Sequence, residues 1–317
     1  MGNKEIQILE ITSELGAGTR GSSLGVGALK VVAFNEKSDF FRRYNTKGIK
    51  NFNQYLFKKN STPRAIRIEH ITKEFMEISS QVEETLAKDK FPFLLSGDHS
   101  TAAATIAGIQ NNYPEKRLGV IWVDAHADLH SPYTSPSGNV HGMPLAIACG
   151  LDNVSQQISD INKETKKHWE FLKKLSKNSV STKDLVFMGV RDTEGPEDYI
   201  IESEEIKNFR VVEISEKGGK QVAKESLDLL SECDIIYISF DVDCMDPQEI
   251  SSGTGTPVAN GIKLKEVTDI LTELCKSPKL VCFEIVEINP CLDEKKNKMA
   301  ETGFKIIDQL AKIIENK

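Results

Sequence analysis

The chain has 317 residues, 39% of them hydrophobic and 27% charged, which is an ordinary globular composition with enough length for a sizeable core. Lys and Arg number 40 against 47 Asp and Glu, for a net charge of −7, and the lysines are scattered. Such a field repels phosphate backbones and anionic lipid, so nucleic acid and membrane surfaces are excluded as expected partners.

The opening "MGNKEIQILE" enters a strand-like segment without an apolar signal region, and no later run approaches a membrane span, so a cytoplasmic protein is expected. Gly2 invites a myristoylation reading, but Ile6 stands where that motif wants Ser or Thr. Short apolar, β-branched runs follow: IQILEI (6–11), FPFLL (91–95), LGVIWV (118–123), DLVFMGV (184–190), FRVVEI (209–214), IIYISF (235–240) and LVCFEIV (280–286). Most are apolar on both faces, as strands of a buried parallel sheet are. Between them, Ile71, Phe75, Ile78, Val82 and Leu86 keep helical spacing, as do Leu264 to Leu274 and Phe304 to Ile314. The alternation predicts one α/β domain over 1–317 with a doubly wound, mainly parallel sheet. The polar stretch 152–183 reads as a solvated helical excursion within it.

The segment GAGTRG (16–21) fits G-x-G-x-x-G after a strand, the setting of a dinucleotide fingerprint. The following SSLGVGALKVVAF carries two more glycines and leaves too little room for a crossover helix before a second strand, which argues against nucleotide binding. The six cysteines show no C-x-x-C spacing and are expected to be reduced, packed thiols. Cys244, beside Asp243, reads either as inert packing or as an oxidation-sensitive thiol.

Chemistry concentrates at strand ends. The stretch WVDAHADLHSPYTSPSGNVHGMP (122–144) holds three of the six histidines, interleaved with Asp124 and Asp128. Alternation in an extended segment would place Asp124, His126 and Asp128 on one face after LGVIWV. Asp241 and Asp243 leave IIYISF in the same way, and His99 follows FPFLL in SGDHS. All three clusters lie at the carboxyl end of a predicted strand, where open α/β sheets form their ligand crevice. Buried together, two imidazoles and four carboxylates need cations. Hard oxygen with some imidazole suits Mn²⁺, with Co²⁺, Ni²⁺, Fe²⁺ or Zn²⁺ as other fits, and six ligands with bridging carboxylates would serve a pair of ions. The competing reading is that each Asp caps the turn after its strand. A metallophosphoesterase-like set is also approached, but here G-D precedes D-x-H and GNVH has one residue too many.

These residues resemble the ureohydrolase family, and its arginase branch most. GDHS, DAHAD, SFDVDCMDP, GTGTP and EIVEINP stand in the family's order, and the loop SPSGNVHGMPLA (135–146) with RDTEGPE (191–197) is similar to arginases. The resemblance implies a three-layer α/β/α fold and hydrolysis of a guanidino group by hydroxide held between two Mn²⁺ ions, with L-arginine giving L-ornithine and urea. It further implies that His99, Asp124, Asp128 and Asp241 hold one ion and His126, Asp124, Asp241 and Asp243 the other. Glu287 would pair with the guanidinium, Thr256 would line the pocket and His141 would shuttle the proton. Ser137 and Asn139 match positions for the α-carboxylate, and Glu197 an acid near the α-amino group. His130 and Glu194 depart from the Asn and Asp expected there, which weakens arginine recognition without abolishing it. A small guanidino substrate and a homo-oligomer, trimer or hexamer, are the implied partners. Agmatine, guanidinobutyrate or formiminoglutamate are the alternative substrates, although an agmatinase has no use for Ser137 and Asn139. A non-catalytic metal-binding member is the reading of a different class, and His141 with Glu287 argues against it.

Overall fold

In the computed structural model, which describes residues 4–317, eight strands form one sheet. They are β1 (Ile6–Ile11), β2 (Asn45–Gly48), β3 (Phe91–Ser96), β4 (Leu118–Val123), β5 (Leu185–Met188), β6 (Lys207–Phe209), β7 (Ile235–Asp241) and β8 (Leu280–Val286). Their order is β2-β1-β3-β8-β7-β4-β5-β6, and every pairing is parallel. Alternation along each strand feeds two cores. Ile121, Val123, Ile236, Ile238, Phe283 and Ile285 pack under the helices Gly25–Asn35, Leu264–Leu274 and Lys298–Glu315. Val120, Trp122, Tyr237 and Cys282 face the helices Ile68–Ala87 and Ala102–Asn112 on the other side. Each large apolar side chain so buried contributes roughly 1.5–3 kcal/mol, which holds three layers together. The three-layer α/β arrangement with a doubly wound parallel sheet is therefore the observed fold.

The outer parts of the sheet differ from expectation. FRVVEI is not a strand: only Lys207–Phe209 pairs, and Val211–Lys217 is helical. This is the edge of the sheet, where Val212 is 68% exposed and no second face demands extension. Glu213 instead pairs with Lys207 and, at i+4, with Lys217. The opposite edge, β2, has the sequence NTKG with every residue exposed, so no apolar signal marked it. The glycines after GAGTRG do not prevent a helix, since Gly25–Asn35 is one and KVVAF lies inside it. What argues against a nucleotide loop is that Gly16 and Gly18 are occupied by neighbours: a Cβ at Gly16 would sit 2.5 Å from Ser100 Oγ, and one at Gly18 2.6 Å from Asn139 Nδ2. The 152–183 stretch is α-helical only over Lys163–Leu172, which anchors itself with buried Trp169 and Leu172. No helix among the described residues is long and apolar enough to cross a membrane. The Gly2 reading lies outside the described residues.

Candidate metal centre and active site

The four central strands β3, β8, β7 and β4 end side by side, and each delivers polar residues to the same crevice. His99 opens a short turn after β3, Asp124 follows β4, Asp241 closes β7 and Glu287 follows β8. His99 Nδ1 lies 3.0 Å from Asp124 Oδ2, 3.1 Å from Asp241 Oδ2 and 3.3 Å from Asp128 Oδ2. His126 Nδ1 lies 3.0 Å from Asp243 Oδ2 and 3.5 Å from Asp124 Oδ1. Asp124 thus stands between two groups of metal-type ligands, His99–Asp124–Asp128 and Asp124–His126–Asp243.

The convergence does not come from strand alternation. Asp124, His126 and Asp128 do not share a face; they divide between the two groups. Asp128 reaches His99 because its backbone is left-handed, φ 53°, a conformation that costs a non-glycine residue of order 1–3 kcal/mol. Glu287 carries a similar φ of 66°. Asp241 and Asp243 are held in a turn, where Asp241 Oδ1 accepts the Asp243 N–H at 2.8 Å. Asp124 Oδ1 likewise accepts the His126 N–H at 2.7 Å, and Asp243 Oδ1 that of Ala125 at 3.1 Å. In Asp124, Asp241 and Asp243, Oδ1 therefore takes a backbone N–H, from the following turn in the first two and from the β4 end in the third, while Oδ2 faces the crevice.

The donor set fits divalent cations. Three carboxylate oxygens crowd His99 Nδ1, yet neither that nitrogen nor Asp124 Oδ2 finds a hydrogen-bond partner among the described residues. His99 Nε2, in contrast, sits 2.7 Å from Ser239 Oγ, and the ring stacks on Trp122 at 4.0 Å. An imidazole tied at Nε2 turns its other nitrogen toward a ligand, as metal-bound histidines do. Electrostatics agree. Burial and the neighbouring Asp124 push the Asp128 carboxyl well up, and burial and Asp243 do the same to Asp241. Burial opposes charge on His99 and His126, but the surrounding carboxylates outweigh it and raise both. A site that draws protons this strongly is short of positive charge, which cations would supply.

Around this centre lies a pocket lined by His126, Asp128, His130, Ser137, Asn139, His141, Glu194, Glu197 and Thr256, together with Asp241 and Asp243. Glu287 stands behind its wall, 2% exposed, with Oε1 accepting the His99 N–H at 2.9 Å and lying 3.4 Å from His141 Nδ1. Burial disfavours charge on His141, but Glu287 and nearby aspartates raise it. Thr256 Oγ1 donates to Asp243 Oδ2 at 3.2 Å. Ser137 is exposed at the mouth and its Oγ accepts the Asn139 N–H. Glu197 is buried, takes the Leu129 and Glu194 N–H groups, and is pushed up to about 7 by burial against those bonds. His130 Nε2 faces both Glu197 (3.5 Å) and Glu194 (3.6 Å), so the two departures from the family pattern meet in space. Burial pushes the His130 ring down to about 4.

Sequence reasoning passed over three residues here. Ser239 holds His99, Asp192 lies 3.6 Å from His126 Nε2, and buried Ser135 lines the pocket and accepts the Gly138 N–H. All three stand inside stretches already singled out, so proximity to a motif was the available signal. Cys244 is fully buried and its thiol is pushed well up by burial and Asp243, which makes it inert packing.

A parallel α/β sheet ending in paired His–Asp clusters, with a buried Glu–His couple beside a polar pocket, has the parts of a metal-dependent hydrolase. The chain belongs to the Arginase family, whose model matches residues 4–312. It is 34% identical over 310 residues to the arginase of Bacillus subtilis, covering 97% of this chain and 98% of that one. The crystal structure of Entamoeba histolytica arginase in complex with L-ornithine superimposes with a TM-score of 0.82 at 27% identity, covering 98% and 99% of the two chains. A formimidoylglutamase from Bacillus subtilis shares the fold at a TM-score of 0.75, with 17% identity.

Proposed function

We propose that this single-domain chain hydrolyses L-arginine to L-ornithine and urea with two Mn²⁺ ions in the cytoplasm, as a homo-oligomer. The observation that carries the reading is one continuous pocket, leading from the Oδ2 atoms of the aspartates past His141 to Ser137, Asn139 and Glu197. His99, Asp124, Asp128 and Asp241 would hold one ion, and His126, Asp124, Asp241 and Asp243 the other. Bound there, divalent cations lower the pKa of water and supply a nucleophile at neutral pH.

The chain's own residues do the rest. The carboxylates offset the charge of the cations, so a cationic guanidinium can approach. Glu287, with Oε1 fixed by the His99 N–H, offers its other oxygen to the planar guanidinium. His141, kept protonated to higher pH by Glu287, delivers a proton to the departing amine. Ser137 and Asn139 donate to the α-carboxylate, and Glu194 and Glu197 meet the α-ammonium. Purified protein with Mn²⁺ should release urea from arginine faster than from agmatine or guanidinobutyrate. No urea from any of the three sinks the hydrolase reading, and preference for agmatine sinks the arginine one.

A further inference from the structure

Arg191 opens RDTEGPE, the segment that leaves β5, and the proposed reaction gives it no task. A guanidinium carries five N–H donors in one rigid plane and no acceptor. Here all five go to main-chain carbonyls: Nε donates to Ala259 O at 3.1 Å, Nη1 to Gly189 O at 3.0 Å and Cys244 O at 3.3 Å, and Nη2 to Asp243 O at 3.1 Å and Val258 O at 2.8 Å. No carboxylate is among these acceptors, so the contacts use the shape of the fork rather than neutralise a charge. Peptide carbonyls beyond the end of a strand lose their ladder partners and need donors from elsewhere, and one side chain supplies them here.

The five carbonyls belong to three segments at the carboxyl end of the sheet: Gly189 follows β5, Asp243 and Cys244 lie in the turn after β7, and Val258 and Ala259 continue the loop from Thr256. The main chain of Arg191 reaches a fourth. Its N–H donates to Ala125 O at 2.8 Å, just after β4, and the Ala125 N–H donates in turn to Asp243 Oδ1 at 3.1 Å. A ring of hydrogen bonds thus closes from the Arg191 backbone through Ala125 and Asp243 to the guanidinium. Ala125 stands between Asp124 and His126, so the ring joins the peptides that carry all three members of the Asp124–His126–Asp243 group. The His99–Asp124–Asp128 group shares only Asp124 with it. We infer that Arg191 is a positioning residue for the ion held by Asp124, His126 and Asp243, fixing the turn after β4 against the turn after β7. Through Val258 it also holds the loop whose Thr256 Oγ1 donates to Asp243 Oδ2. The inference rests on the reading of these residues as metal ligands.

The test is Mn²⁺ titration of the full-length protein, following the electron paramagnetic resonance of free Mn²⁺, with thermal unfolding of the metal-free protein in parallel. Arg191→Lys keeps the charge but offers three donors from a single point, too few for five carbonyls. It should bind one ion as tightly as the unsubstituted protein and the other about 10–100-fold more weakly, the range for loss of an outer partner of metal ligands. Arg191→Met, which removes every side-chain donor, should weaken that same ion at least as much. If Arg191→Lys binds both ions as tightly as the unsubstituted protein, or weakens both equally, Arg191 is merely structural and the inference is overturned, whatever happens to the unfolding temperature. Uptake of fewer than two ions by the unsubstituted protein overturns the two-ion reading itself, and the inference with it. Should Arg191→Met fail to fold, Arg191→Lys decides.

Discussion

His130→Asn separates substrate recognition from metal binding. The His130 ring is 8% exposed, and its Nε2 stands 3.5 Å from Glu197 and 3.6 Å from Glu194, beyond ordinary hydrogen-bond length. Its backbone N–H donates to Gly142 O at 3.0 Å and is untouched by the substitution. With the ring pushed down to about 4, it is neutral at pH 7 and brings no charge to a substrate carboxylate. An asparagine amide there would donate to that carboxylate, and a hydrogen bond to a charged group contributes about 1.5–3 kcal/mol, or roughly 10- to 150-fold. The KM for arginine should fall about 10-fold or more while kcat stays put, because the contact is made equally in ground and transition states. Agmatine, which lacks the carboxylate, should show an unchanged KM. Steady-state urea release with both substrates and metal analysis of the variant check this. An equal shift for the two substrates, or loss of metal, would refute the reading of His130 as a residue that bears on arginine recognition alone.

Asp128→Ala should lose one ion and the activity together, as metal content and urea release measured on the same sample will show. His141→Asn should keep the metal and lower kcat by roughly 10²–10⁴, the usual contribution of a positioned acid; unchanged kcat would remove His141 from the proton transfer. Glu74, buried on the helix Ile68–Ala87 with Oε2 accepting from Ser13 Oγ at 2.7 Å, is pushed up to about 8 by burial. A carboxyl raised in the folded state contributes its stability fully below the unfolded value and loses it as pH rises through the folded one. Stability should therefore decline between pH 4.5 and about 8, by several kcal/mol at about 1.4 kcal/mol per pH unit, and Glu74→Gln should flatten that decline in denaturant titrations. A parallel pH profile for the variant would refute the assignment.

The central strands were legible because strands buried on both faces must be apolar throughout, and LGVIWV and LVCFEIV begin and end as read. The edges were not, since an edge strand such as NTKG has no buried face to pattern it, and FRVVEI is apolar enough to suit either a strand or a helix. The convergence of these histidines and aspartates was legible, yet the physical reason offered for it does not hold. Extended alternation would have pointed Asp124, His126 and Asp128 one way, whereas turns and a left-handed Asp128 send His126 to one group and Asp128 to the other. Asp is enriched in left-handed backbone but is far commoner elsewhere, so that division could not be read from the residue type.

Capping and metal binding looked like rival explanations of the aspartates, but the geometry makes them compatible. A carboxylate has two oxygens, and in Asp124, Asp241 and Asp243 Oδ1 takes a backbone N–H while Oδ2 faces the crevice. The backbone bond would aim a ligand: it fixes the rotamer without a cation, so the ordering cost of binding one would already be met on folding. The same logic runs beneath His99, where Ser239 holds one ring nitrogen and thereby aims the other. Ser239, a polar interruption in the otherwise apolar IIYISF, was the sequence's trace of that support. A buried carboxylate in a central strand is too costly to keep without partners, and Glu284 has three, the hydroxyls of Tyr237, Ser96 and Thr101.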